Sequence, residues 1–345
     1  MIKKIAGILG ILFVTLFTSC ETDFDVIADW EDITIVYGLL NQNDTVHYIK
    51  INKAFLGDGD LLEYAQTQDS TTYTNKLDVK LQEFDDNDLV REIPLDTTTI
   101  HNKEEGDFHY PDQIIYTTGL SNSIILEDNY TYKLLIINPE TGKEVSSTIS
   151  LVKDFSIKEP ALNHQTHPSI TFPNNNSSRK VEWYSAKNGK RYELELVFTY
   201  LEKSKNSDEI IEKSVIWNEF PSKKSDNSEG GQLLKTKFLS ERFFTFVNDK
   251  VPYSDSNKEN NIDYREAKTV DFVITVASNE FDIYMELYEP SNSIVQTNPD
   301  YTNIKNGKGL FASRYVKTRS FGVSQNTQIA LSLLDLYFTN PTTKN

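Results

Sequence analysis

From Ile33 onward, apolar and polar positions alternate with a period of two, interrupted by short clusters of Asn, Asp, Pro and Gly. Alternation of this kind places every second side chain on one face of a strand, and the polar clusters supply turn chemistry. The segments "ITIVYGLL" (33–40), "TVHYIKIN" (45–52), "KLDVKLQEF" (76–84), "IIYTT" (114–118), "YTYKLLII" (130–137) and "EVSSTISLV" (144–152) therefore read as strands. Between them, "NQND", "DDND" and "NPETG" read as turns, the second being a hairpin tip at 85–88. Six or seven short strands in this spacing predict an immunoglobulin-like β-sandwich over 33–155. The single cysteine of the chain rules out a disulfide inside it, so the analogy is one of architecture.

Two prolines and polar filler at 156–168 predict a linker, after which a second β-rich domain occupies 169–340. Its strand candidates are "KVEWYSA" (180–186), "RYELELVFTYL" (191–201), "IIEKSVIWNEF" (210–220) and "TVDFVITVA" (269–277), with the second and third paired as a hairpin. The polar stretch 221–232 predicts a mobile loop. Short helices are expected near 239–249, 279–289 and 325–336, the last also compatible with a strand. In the second of these, Ser278 is a candidate N-cap and Phe281, Tyr284, Met285 and Tyr288 fall on one helical face, with Pro290 ending the run. The fold class expected is thus mainly β, a sandwich followed by a second β-rich domain carrying two or three short helices.

The first 32 residues follow a different pattern. Lys3 and Lys4 precede an uncharged run from Ile5 to Phe17, too short to cross a bilayer of about 30 Å as a helix. With Thr18 and Ser19 before Cys20, residues 1–19 read as a signal peptide. The segment resembles a bacterial lipoprotein signal in which Cys20 is lipidated and becomes the first mature residue, although Leu16 stands four places before the cysteine and the usual pattern has Leu three before. Residues 20–32 would be an acidic tether, and Glu21, Asp23 and Asp25 resemble the signal that sends Bacteroidota lipoproteins to the cell surface. Lipidation would consume the only thiol, leaving none as nucleophile or metal ligand.

Removing Lys3 and Lys4 takes the basic count from 35 to 33 against 51 acidic residues, so the net charge of −16 becomes −18. Such a balance excludes nucleic acid, whose binders cluster cations to displace counterions, and excludes spreading on anionic lipid.

Near the C-terminus, "YTNIKNGKGLFASR" (301–314) carries Asn303, Ile304, Asn306, Gly307, Gly309 and Phe311. Together with the "TSC" signal and the start "ITIVYGLLNQNDTVHYIKINKAFLG", this N-I-x-N-G-x-G-x-F pattern resembles a family of Bacteroidota outer-membrane lipoproteins that carry a domain of unknown function. The resemblance implies an N-terminal immunoglobulin-like domain, an outer-membrane address and a neighbourhood with TonB-dependent transporters. It brings no catalytic residues. The motif itself reads as closing the second domain.

Other candidate chemistry is thin. "NGKG" (306–309) lacks the phosphate-loop spacing and reads as a tight turn with positive φ at glycine. Asp58, Asp60 and Glu63 lack the calcium-loop spacing and read as a solvated acidic turn. His164 and His167 form an H-x-x-H pair in the linker, where a zinc site is less expected than free histidines. Trp183, Tyr184, Tyr192, Phe198 and Tyr200 offer either a stacking platform or core packing, the second being the usual fate of strand aromatics. Ser70 stands in the most loop-like of three Asp-Ser/Thr-apolar triplets that resemble Bacteroidota O-glycosylation acceptors. No serine elbow or triad pattern is present, and carboxylates are too numerous for any pair to mark a glycosidase.

The expectation is a non-enzymatic outer-membrane lipoprotein with no metal or cofactor, acting as a binding or accessory subunit, with a TonB-dependent β-barrel transporter as partner. A surface adhesin or structural envelope protein is the first alternative. A hydrolase with an acidic site in the second domain is the other. The ligand is not readable from the sequence.

Overall fold

The computed structural model describes residues 33–54, 65–101, 103–119, 123–253, 261–288 and 301–340. Cys20, the signal, the tether, the Asp58/Asp60/Glu63 turn and Pro290 lie outside the described residues.

The fold is mainly β, as expected. The first unit contains β1 (Thr34–Asn41), β2 (Tyr48–Lys53), a one-turn helix α1 (Gln68–Thr71), β3 (Asp78–Asp85), β4 (Asp88–Ile100), β5 (Gln113–Thr117), β6 (Thr131–Ile137) and β7 (Glu144–Ser150). Alternation decides which face each strand buries: Val36, Leu40, Ile49, Ile51, Val79, Leu81, Leu134 and Ile136 form one core. The 13-residue β4 carries the chain between layers. Its first half pairs with β3 and its second half, from Asp96, pairs with β5. No expectation covered this strand, because "DLVREIPLDTTTI" contains Pro94 and few inward apolar residues.

The second unit contains β8 (Ile157–Glu159), β9 (Ser169–Ile170), β10 (Ser178–Tyr184), β11 (Arg191–Ser204), β12 (Ile210–Trp217), β13 (Lys223–Lys224), β14 (Leu233–Leu239), α2 (Glu241–Lys250), β15 (Ile262–Ala277), α3 (Asn279–Tyr288), β16 (Gly307–Val323) and α4 (Gln325–Ser332). A three-stranded sheet β14-β10-β8 stands beside the larger one. A second core gathers Trp183, Tyr192, Phe198, Trp217, Phe243, Phe272 and Phe321. The β11/β12 hairpin pairs as expected, and all three helices fall where the pattern places them.

Three expectations about this half change. The 156–168 linker contains β8, whose Ile157 is buried in the second core and which pairs with β10, so the second domain begins before 169. The 221–232 stretch is built rather than loose: β13 pairs with β11, and Ser225 is buried with its hydroxyl donating to Gly189 O at 3.0 Å. Helix α3 buries Asp282, while Phe281, Tyr284 and Met285 are half-buried and Tyr288 is exposed. The helix lies against β16.

The two cores are separate, but one sheet runs through both, in the order β12-β11-β15-β16-β1-β2-β5-β4-β3-β6-β7. The 17-residue β16 is the shared strand. Gly307–Arg314 runs parallel to β1, and Arg314–Gly322 runs antiparallel to β15. The sandwich therefore takes its last strand from the far end of the chain.

Candidate functional site

The late motif is the hinge of this arrangement. Asn303 acts as a strand-pairing group: its Nδ2 donates to Phe311 O at 2.5 Å and its Oδ1 accepts from Phe311 N at 2.9 Å. Asn306 sits at φ 58° and donates from Nδ2 to Glu144 O at 3.0 Å. A Cβ on Gly307 would lie 2.8 Å from Thr34 O. At Gly309 φ is +106° and a Cβ would meet Val36 O at 2.0 Å, so only glycine lets β16 lie against β1. Ile304 and Phe311 pack into the first core, so the motif closes the first unit and not the second. Sequence order misled here, because a residue near 305 is close to the second unit in the chain and to β7 in space, where Lys305 bridges Ser146. The motif is accounted for by folding alone. The positive φ of "NGKG" falls on Asn306 and Gly309.

The open chemistry lies on the outer face of the first unit. Because Val36, Ile49 and Ile51 point inward, Tyr37, Tyr48 and Lys50 must point outward. Register then aligns them: Tyr37 stands opposite Lys50 across β1/β2, and Thr98 stands opposite Ile115 across β4/β5. The result is a groove of about 530 Å³ lined by Tyr37, Tyr48, Lys50, Thr98, Ile100 and Gln113, with Thr99 and Ile115. Tyr37 is 43% and Tyr48 45% exposed, a large value for rings in interior strands of a sheet.

Helix α3 stands beside this groove. It lies against β16 and sets Tyr284 edge-on to Tyr37, with ring centroids 6.4 Å apart, while Tyr284 and Tyr288 lie 4.5 Å apart. Burial, and then a hydrogen bond with Tyr37, raise the Tyr284 phenol pKa. The helix is fastened from below by Asp282, whose Oδ1 accepts from Arg191 Nε at 2.7 Å and pairs with Lys224 at 2.8 Å. Removing one partner from a buried pair of this kind is strongly destabilising, so these contacts hold the helix in place. Tyrosines of both units thus meet at one edge of the groove.

Lys50 is the electrostatic feature. Burial lowers its pKa, and the nearby Lys103 lowers it further. Among the described residues no hydrogen bond or carboxylate engages its ammonium, whereas Lys103 donates to His109 O at 2.7 Å and lies 5.5 Å from the Phe108 ring centroid. Two carboxylates close to the lining residues in sequence have partners of their own: Asp96 pairs with Lys76 at 2.6 Å, and Asp112 with His101 at 2.6 Å.

The other candidates resolve as structure. Trp183, Tyr192, Phe198 and Tyr200 are buried in the second core, and Tyr184 alone of that set is exposed. His164 Nδ1 accepts from His167 N at 3.1 Å, closing a turn. Among the described residues no group of three His, Cys, Asp or Glu side chains could hold a metal. Ser70 lies in α1 and is half-buried, not in an open loop. "DDND" is a hairpin tip with Asp86 at φ 50°. In the second unit, burial opposes ionisation of Glu202, but hydrogen bonds from Lys213 and Arg265 outweigh it and hold the carboxyl below its ordinary range. No helix is long and apolar enough to cross a membrane among the described residues. The Tyr37/Tyr48/Lys50 groove escaped the sequence reading, although the alternation of "IVYG" and "HYIKI" already put those three residues on one face.

No family model matches the chain, and no curated protein matches it. Among solved structures, it is similar to the C-terminal globular domain of an oligosaccharyltransferase from Pyrococcus abyssi, at 9% identity, over 85% of this chain and 49% of that one, with a TM-score of 0.20. The chain thus spans about half the length of that structure, and a TM-score this low carries no argument about activity.

Proposed function

We propose that the chain is a non-enzymatic binding protein, tethered to the outer membrane by lipid on Cys20, with the Tyr37/Tyr48/Lys50 groove as its ligand face. One observation carries this reading: two exposed tyrosine rings flank an unengaged, half-buried lysine in the middle of a hydrogen-bonded sheet. Folding alone would favour polar residues there, because exposed rings gain little from burial and a half-buried ammonium costs desolvation. The lipoprotein-like start of the chain supports the tether, and its resemblance to a transporter-associated family supports an accessory role beside a TonB-dependent β-barrel.

Two experiments test the reading. Membrane fractions of cells producing wild type and Cys20→Ser are expected to retain the first and release the second; release of both would remove the tether. Immobilised mature protein and a Tyr37→Ser/Tyr48→Ser variant are then offered a panel of envelope and matrix polymers. At least one class should bind the wild type and leave the variant. A variant that keeps every ligand of the wild type would place binding elsewhere.

A further inference from the structure

The groove also constrains the chemistry of what it holds, and this inference rests on the groove being the ligand face. Strand β1 is paired on both sides along the groove, whereas Thr98–Ile100 of β4 pair with β5 alone and β2 meets β5 only at Tyr48 and Ile49. A peptide recognised by strand addition would use the backbone of such an edge and not the ring faces that the groove presents. What the face offers is two ring surfaces, the hydroxyls of Thr98 and Thr99, the amide of Gln113 and one ammonium. Ring faces stack on the apolar faces of cyclic ligands, while hydroxyls and amides match a ligand rich in hydroxyls.

The charge is the decisive feature. In a chain of net charge −16, Lys50 sits half-buried in the groove with Lys103 nearby and, among the described residues, no carboxylate engaging its ammonium. An ammonium in this state gains most from a ligand that brings its own negative charge. The volume of about 530 Å³ is within the range of small-ligand sites and suits a short oligomer lying along the face.

We propose that the groove binds an anionic oligosaccharide, with sugar rings stacked on Tyr48 and Tyr37 and an acidic substituent held by Lys50. A carboxylate on the sugar and a sulfate on the sugar share this chemistry. Binding would leave all bonds of the ligand intact.

Titration calorimetry with the full mature protein tests this, using tetragalacturonate as the carboxylate probe, a carrageenan tetrasaccharide as the sulfate probe and cellotetraose as the neutral control. At least one acidic probe is expected to bind roughly ten- to a hundredfold tighter than cellotetraose, the range of a charge-assisted hydrogen bond. The tighter of the two identifies the acidic group. Lys50→Met should erase the preference and Lys50→Arg keep it, while Tyr48→Ala weakens acidic and neutral probes alike. Equal affinity for acidic and neutral probes would overturn the role of Lys50. Failure of all three probes would overturn the saccharide assignment, whereas the polymer panel judges the groove itself.

Discussion

The two units apply the same rule of alternation and reach opposite surfaces. In the second unit the aromatic residues of β10 and β11, Tyr184 excepted, point inward, and Trp183, Tyr192, Phe198 and Tyr200 vanish into a core that α2 also covers with Phe243 and Phe244. The outward positions between them carry Glu193 and Glu195. In the first unit the inward positions hold Val36, Ile49 and Ile51, and the aromatics Tyr37 and Tyr48 take the outward ones. Aromatic content therefore says nothing about a binding face until parity is assigned. A one-residue difference in phase separates core from platform.

The contrast can be broken at the seam that joins the units, where the largest effect is expected. Gly309→Ala drives a Cβ to within 2.0 Å of Val36 O at φ +106°, so β16 must leave β1. We expect a loss of more than about 4 kcal/mol in urea unfolding, the exceptional class reserved for backbone clash and strain. If the second core is self-sufficient, a separate later transition will persist; a single, slightly shifted transition would mean that the seam yields without cost.

Next comes the second unit's own fastening. Arg265 is 0% exposed, donates to Glu202 Oε2 at 2.9 and 2.7 Å, and also donates to Leu336 O at 2.9 Å and Pro252 O at 2.7 Å. Arg265→Ala leaves a buried carboxylate and two carbonyls without it, a change expected to cost about 3–5 kcal/mol. Denaturation of that variant should move the transition of the second unit, not the first. A loss confined to the first unit would refute the separation of the cores.

A smaller effect distinguishes the first unit by pH. His47 is buried, and burial lowers its pKa against the opposing pull of a hydrogen bond with Ile124 O at 3.0 Å and of Asp44. In the unfolded chain the imidazole titrates near its ordinary value of about 6.5. Its stabilising contribution is thus complete above about pH 6.5 and is lost as pH falls from there toward the lowered folded value, with a slope of at most about 1.4 kcal/mol per pH unit. His47→Gln should flatten that slope between pH 7 and 5; an unchanged slope would assign it to other groups.

The smallest expected effect sharpens the comparison furthest. Tyr48→Ser removes an exposed ring, so its stability change should stay within about 0.5 kcal/mol. Phe198→Ala, with its ring buried in the second core, should cost about 3–5 kcal/mol. A large loss from Tyr48→Ser would make its ring a folding element and not a platform.

Much of the fold was legible locally. Period-two alternation located ten of the strands because burial on one face is imposed residue by residue, and the "DDND" tip and the β11/β12 hairpin follow from turn chemistry. Strand β4 was hidden by Pro94 and a run of threonines. The role of Asp282 was hidden as well, because a helical face chosen by hydrophobicity ignores a carboxylate that finds Arg191 and Lys224 from other elements.

By itself the sequence determined a mainly β chain, two regions of strands, the positions of three helices and the parity that turns Tyr37, Tyr48 and Lys50 to one side. Only the tertiary structure decided that β16 belongs to both cores, that Asn303, Gly307 and Gly309 serve the seam, and that tyrosines from β1, β2 and α3 gather at one groove. The physical reason is range. Alternation and turns are set by neighbours in the chain, whereas pairing Val36 with Gly309 depends on which strand edge remains open after the others have packed.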